Sequence, residues 1–116
     1  MLCGAFCTAT LVERGVAGMT VVFGTFEWDS NKARANIIKH GISFEEAIEV
    51  FRDPYFFEIP DAKHSTLDEA RFLGYGMTRR CVVVTTVFVE RKKVRIISAR
   101  RATTQEEEDY YERRFG

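Results

Sequence analysis

The sequence predicts an α+β fold: an antiparallel sheet of about four strands, two helices on its N-terminal side and one helix at its C-terminus. Three observations predict it. Helix start and stop signals crowd between Trp28 and Pro54. From Tyr55 to Arg101 the chain turns to aromatic and β-branched runs broken by polar turns. Beyond Thr103 an acidic, tyrosine-bearing segment has the look of a capped helix. Helices thus segregate to the ends of a meander, in the order β-α-α-β-β-β-β-α.

Taken in order, Met1 to Gly18 shows no clean period, and the spacing predicts an extension that the fold does not require. Thr20 to Trp28 is aromatic and β-branched, a strand with a break at Gly24. Asp29 or Ser30 caps the first helix, in which Ala33 and Ile37 sit four apart and should face the core. Gly41 ends it in a left-handed position. Ser43 and Glu46 form a capping box, with Ile42 and Ala47 as its staple. Phe44, Ala47, Ile48 and Phe51 then follow an i, i+3, i+4, i+7 stripe, stopped by Asp53-Pro54. Strands are expected at Tyr55 to Ile59, Ala70 to Thr78, Cys81 to Val89 and Val94 to Arg101. The third is apolar on both faces, which marks a central strand and makes Cys81 an inert core thiol. Thr103 or Thr104 caps the last helix.

A chain of 116 residues with 46% hydrophobic and 29% charged residues suits one soluble domain. It offers no apolar run of membrane-spanning length, and no membrane partner is expected. The three cysteines, Cys3, Cys7 and Cys81, follow no metal spacing and fit a reduced cytoplasm. Gly-rich phosphate loops and Ser-His-Asp elbows are missing too. Charge is zero overall but unevenly placed. From Arg71 to Arg101 nine basic residues stand against one acid, Glu90, while from Phe26 to Ala70 ten acids outnumber five bases. A basic strand segment points to a polyanion site, or to edge strands kept from pairing by their charge.

Two stretches carry a resemblance. The first is Phe26-Glu27-Trp28-Asp29-x-x-Lys32-Ala33-x-x-Asn36-x-x-Lys39-His40-Gly41-Ile42-x-Phe44-Glu45-Glu46-Ala47-x-x-Val50-Phe51. The second is Arg95-Ile96-Ile97-Ser98-Ala99-Arg100-Arg101-Ala102 with the acidic helix after it. Together they resemble the BrnT family of small ribonuclease toxins, from about Thr25 to Arg114. The resemblance implies a RelE-like fold over residues 19–116. It implies a cytoplasmic endoribonuclease, the toxin of a type II toxin–antitoxin pair, using neither metal nor other cofactor. The partners implied are RNA and a BrnA-like antitoxin of the ribbon-helix-helix type, with operator DNA reached only through that antitoxin. A non-catalytic RNA- or partner-binding module, or a degenerate toxin acting as corepressor, is the rival reading.

Cleavage of this kind sends the 2′-hydroxyl onto the adjacent phosphorus, so it needs proton transfer and stabilisation of phosphate charge. Arg71 and Arg95 are the candidates for the reacting phosphate, because a planar guanidinium binds two oxygens at once. His64, His40 and Tyr111 are candidates for proton transfer. His64 belongs to a His-x-x-x-x-Glu-x-Arg pattern, His64 to Arg71, that is similar to the family's. His40 has a second reading as a helix C-terminal cap, and Tyr111 as a packing partner of Phe115. Lys32, Lys39, Arg79, Arg80, Arg100 and Arg101 are the candidate RNA contacts, with Asn36 on the same helical face as the lysines. Strand parity places Arg95 and Arg101 on one face and Arg100 on the other, unless a bulge near Ser98-Ala99 resets the register. Arg100 has a second reading as an ion pair with the acidic start of the last helix.

Overall fold

The computed structural model describes residues 18–116, so the expected extension lies outside the described residues except for Gly18. The strands are β1 (Thr20–Phe23), β2 (Phe26–Asp29), β3 (Phe57–Pro60), β4 (Arg71–Met77), β5 (Val83–Glu90) and β6 (Val94–Arg101). The helices are α1 (Ser30–His40), α2 (Phe44–Arg52) and α3 (Thr104–Phe115). Among the described residues the sheet has six strands, in the order β1-β2-β6-β5-β4-β3. It is mixed, which corrects the expected four-stranded antiparallel sheet.

The difference begins at Gly24. Its φ of +62° makes a two-residue turn with Thr25, so the expected single strand is a hairpin. β2 then runs parallel to β6, with Phe26 opposite Val94 and Trp28 opposite Ile96. The turn between β4 and β5 is also longer than expected. Cys81 lies in it, exposed and at φ +61°, and is not a core thiol.

Local signals place the helices well. Asp29 caps α1 by accepting from the Lys32 amide, and Gly41 ends it at φ +71°. Ser43 caps α2, accepting from the Glu46 amide at 3.0 Å. The reciprocal half of that box is not made, because the Glu46 carboxylate accepts from Thr78 and Arg80 instead. Thr103 caps α3 in a complete capping box with Glu106.

α1 and α2 seal one face of the sheet. Trp28, Ile42, Phe44, Ala47, Ile48, Val50, Val84, Ile96 and Ala99 form the core there. Phe51 joins it at the edge, its ring 4.9 Å from that of Phe88. The α1 contact is not the expected one. Ile37 is 50% exposed, and Asn36 is the buried residue. β2 pairs only with Val94 to Ile96, so the outer edge of β6 is bare beyond that point. The Asn36 amide takes the place of a strand there. Its oxygen accepts from the Ala99 N–H at 3.1 Å and its nitrogen donates to the Ala99 and Ile42 carbonyls, each at 2.8 Å. α3 lies on the opposite face, over Phe57, Tyr75 and Thr85, and leaves the rest of that face open.

Candidate active site

The register of β6 decides which arginines meet. Val87 is opposite Ser98 but Phe88 is opposite Ile96, so Ile97 is an extra residue and the strand bulges there. Beyond the bulge the faces exchange. Arg95 stands opposite Val89 and Arg100 opposite Thr85, two positions on the same side of β5. Arg95 and Arg100 therefore share the open face, while Arg101, opposite Val84, goes to the helix-covered side. The simple parity expectation is corrected, by the bulge it had named as the exception.

Rows across the open face follow from pairing. Arg71, Val89, Arg95 and Glu27 form one row. Leu73, Val87 and Ser98 form the next, and Tyr75, Thr85 and Arg100 the third. Over these rows opens a cleft of about 290 Å³, bordered by Asp61, His64, Arg71, Ser98 and Arg100.

His64 comes from the loop between β3 and β4, which is pinned rather than loose. The Asp61 amide donates to the Arg71 carbonyl at 2.8 Å, and the Ser65 hydroxyl accepts from the Arg71 amide at 2.9 Å. The Asp61 carboxylate meets His64 Nδ1 at 2.8 Å. A carboxylate at Nδ1 favours the Nδ1–H tautomer and leaves Nε2 as the free base. Sequence reasoning missed Asp61 and Ser98. Asp61 carried a signal, an acid three residues before His64; Ser98 carried none until the bulge was known.

The cations differ in freedom. Arg95 pairs with Glu27 at 3.1 Å, both largely shielded. Arg100 is gripped by Glu106 through two bonds, of 2.7 and 3.1 Å, so its second reading as an ion pair holds. Burial pushes the Glu106 carboxyl up, but hydrogen bonds from Arg100, the Thr103 amide and the Thr85 hydroxyl outweigh it and bring it to about 2. Arg91 binds Glu69, and with Arg71 and Arg95 nearby holds that carboxyl below the usual range. Arg71 makes no side-chain ion pair among the described residues, which leaves its guanidinium open to a ligand.

The other candidates lie elsewhere. His40 ends α1 in the helix layer, and Lys32 and Lys39 are exposed on the same helix without Asn36, which points inward. Arg79 and Arg80 sit in the β4–β5 turn and pair with Glu49 and Glu46 of α2. Tyr111 stacks on Phe115 at 5.8 Å and does not border the cleft. Tyr110, its neighbour, is the buried one of the two, donating to Asp53.

No curated protein sequence matches the chain. The crystal structure of the Brucella abortus ribonuclease toxin BrnT is similar, with a TM-score of 0.51 and 22% identity over 66% of this chain and 94% of that one. That likeness is one of fold. The family model described as "Ribonuclease toxin, BrnT, of type II toxin-antitoxin system" matches residues 28–106, from the core tryptophan to the glutamate that grips Arg100. By that match the chain belongs to the BrnT family of ribonuclease toxins of type II toxin–antitoxin systems.

Proposed function

We propose that this protein cleaves RNA in the cleft between the β3–β4 loop and the open sheet face, by metal-independent transphosphorylation. One observation carries the reading: a His64–Asp61 pair borders the same cleft as the unpaired Arg71. His64 Nε2 takes the proton of the 2′-hydroxyl. The 2′-oxygen bonds to phosphorus, the bond to the 5′-oxygen breaks, and that oxygen takes a proton from water at the open cleft mouth, the hydroxide left being neutralised by the proton that His64 holds. Arg71 meets the charge that grows on the phosphoryl oxygens; Arg95, held by Glu27 in the same row and outside the cleft's border, adds its field from beside it. Asp61 holds the imidazole through Nδ1 and orients it. The partner that silences this activity is a ribbon-helix-helix antitoxin, through which the complex reaches operator DNA, in the cytoplasm.

The test is purified protein with total RNA in EDTA. Wild type should cleave and leave 2′,3′-cyclic or 3′-phosphate ends. His64→Ala and Arg71→Ala should each lower the rate by about 10²–10⁴-fold, with Arg95→Ala also impaired. Full activity in both His64→Ala and Arg71→Ala would sink the site assignment. A wild type that leaves RNA intact with and without metal would favour the non-catalytic binding module or corepressor.

A further inference from the structure

Away from the cleft, at the Met77 end of β4, two hollows meet along α2. One, of about 350 Å³, reaches Phe23; the other, of about 640 Å³, reaches Tyr55; both are bordered by Glu49, Arg52 and Arg79. They form one groove with Arg52, Arg79 and Glu49 at its middle, Glu45 and Glu46 on the wall of the first hollow, and an exposed aromatic ring at each end, Phe23 at 49% and Tyr55 at 43% exposure. The arginines are paired in a way that leaves them open. Arg79 and Arg80 each use only Nε for their glutamates, at 3.3 and 2.8 Å, so the terminal nitrogens of both forks are uncommitted. Arg52 makes no ion pair among the described residues. The nearby Asp53 is occupied by Tyr110 and by the Tyr55 and Met77 amides.

We infer that this groove is a second binding surface for single-stranded RNA, separate from the cleavage cleft. Guanidinium forks bind phosphate oxygens bidentately, and exposed rings stack unpaired bases, a combination that suits a flexible single strand. Arg114 lies 5.1 Å from the centre of the Tyr55 ring and braces it as a platform. β4 runs from Arg71 to Met77, so the groove is about 20 Å from Arg71 at a strand's rise per residue. The inference rests on RNA being the substrate.

The probe is a short oligouridine with 2′-O-methyl groups throughout, which cannot be cleaved, read by fluorescence anisotropy over a series of salt concentrations. Arg52→Ala/Arg79→Ala should weaken binding roughly tenfold and reduce the salt slope by about 1–2. Tyr55→Ala should weaken it by about five- to tenfold or more, with the salt slope unchanged. Cleavage of a minimal dinucleotide should be the same in both variants and wild type, which also reports that they fold. Unchanged oligouridine affinity in the double variant and in Tyr55→Ala overturns the groove. If wild type binds the oligomer through the groove yet cleaves no RNA, the groove stands and the proposed catalysis fails. If a peptide from the antitoxin, and not the oligomer, binds with these sensitivities, the surface is a protein site and the inference is wrong.

Discussion

On the helix-covered face of the sheet, Trp28, Phe44, Ile48, Val84 and Ile96 are exposed by 2% or less, and Asn36 is the polar side chain carried inward from α1. The opposite face carries Arg71, Arg95, Ser98 and Arg100 on the same strands, and α3 covers only one end of it. The strands are shared, so the contrast is made by what each face is given to hold. The sealed face draws its stability from burial, which depends on residue type and tolerates no vacancy. The open face keeps polar groups in place by pairing them, and its one uncommitted cation is Arg71 among Arg71, Arg95 and Arg100.

The largest expected effect sets the two faces against each other. Phe44 is fully buried and meets the Trp28 ring edge-on at 5.8 Å. Phe44→Ala should cost about 3–5 kcal/mol in a urea melt, because it empties a volume that α2 cannot close. His64→Ala, by contrast, should change stability by about 0.5 kcal/mol or less, because His64 is exposed on its loop. A small loss for Phe44→Ala, or a large one for His64→Ala, would break the division between a face that folds and a face that acts.

The sealed face was also the more legible in the sequence. Phe44, Ala47 and Ile48 announce themselves by spacing, and Ser43, Gly41 and Thr103 by the local chemistry of helix ends. The open face depends on matters that are not local. Whether Arg95 and Arg100 share a side turns on one extra residue, Ile97, which is no different in type from its neighbours. The exchange of Asn36 for Ile37 has the same origin. Apolar periodicity favours Ile37, but the bare edge of β6 needs a donor and an acceptor, and only the fold shows where that edge ends. The hairpin at Gly24 was visible as a break, yet a strand with a kink and two strands with a turn look alike until the partner strand is known.

Asn36 sharpens the comparison, because it is a polar contact inside the apolar face. Asn36→Ala leaves the Ala99 N–H and carbonyl and the Ile42 carbonyl without their partner. The expected loss is about 1–3 kcal/mol, the cost of orphaned buried groups. Asn36→Asp should be no rescue, since a carboxylate accepts from Ala99 but cannot donate to the two carbonyls. Wild-type stability in either variant, measured by the same melt, would mean that α1 is held by its apolar contacts alone.

The smallest effect concerns pH, and it falls on the side held by pairing. Glu106 has its carboxyl brought down from an ordinary 4.5 to about 2 by Arg100, Thr103 and Thr85, against its burial. Its stabilising share is thus full above pH 4.5 and is lost as pH falls through about 2. Burial first, then the Glu106 charge, pushes the Tyr75 hydroxyl from 10 up to about 12. Burial and the hydrogen bond to Asp53 do the same for Tyr110. Raised groups work with the opposite sign: their share is full below pH 10 and is lost as pH rises through about 12. The Glu106 carboxylate is largely shielded, but its partner Arg100 keeps about a third of its side chain in solvent, which screens the pairing and keeps the acid effect modest. The composition supplies separate reporters. The single tryptophan, Trp28, lies in the sealed core. The four tyrosines, Tyr55, Tyr75, Tyr110 and Tyr111, are on α3 or beside it. At both pH extremes the near-ultraviolet tyrosine signal should therefore change before Trp28 emission shifts to the red, as α3 loosens from a sheet that α1 and α2 still seal. If the two signals move together across the titration, the faces melt as one unit and the division between them does not extend to their stability.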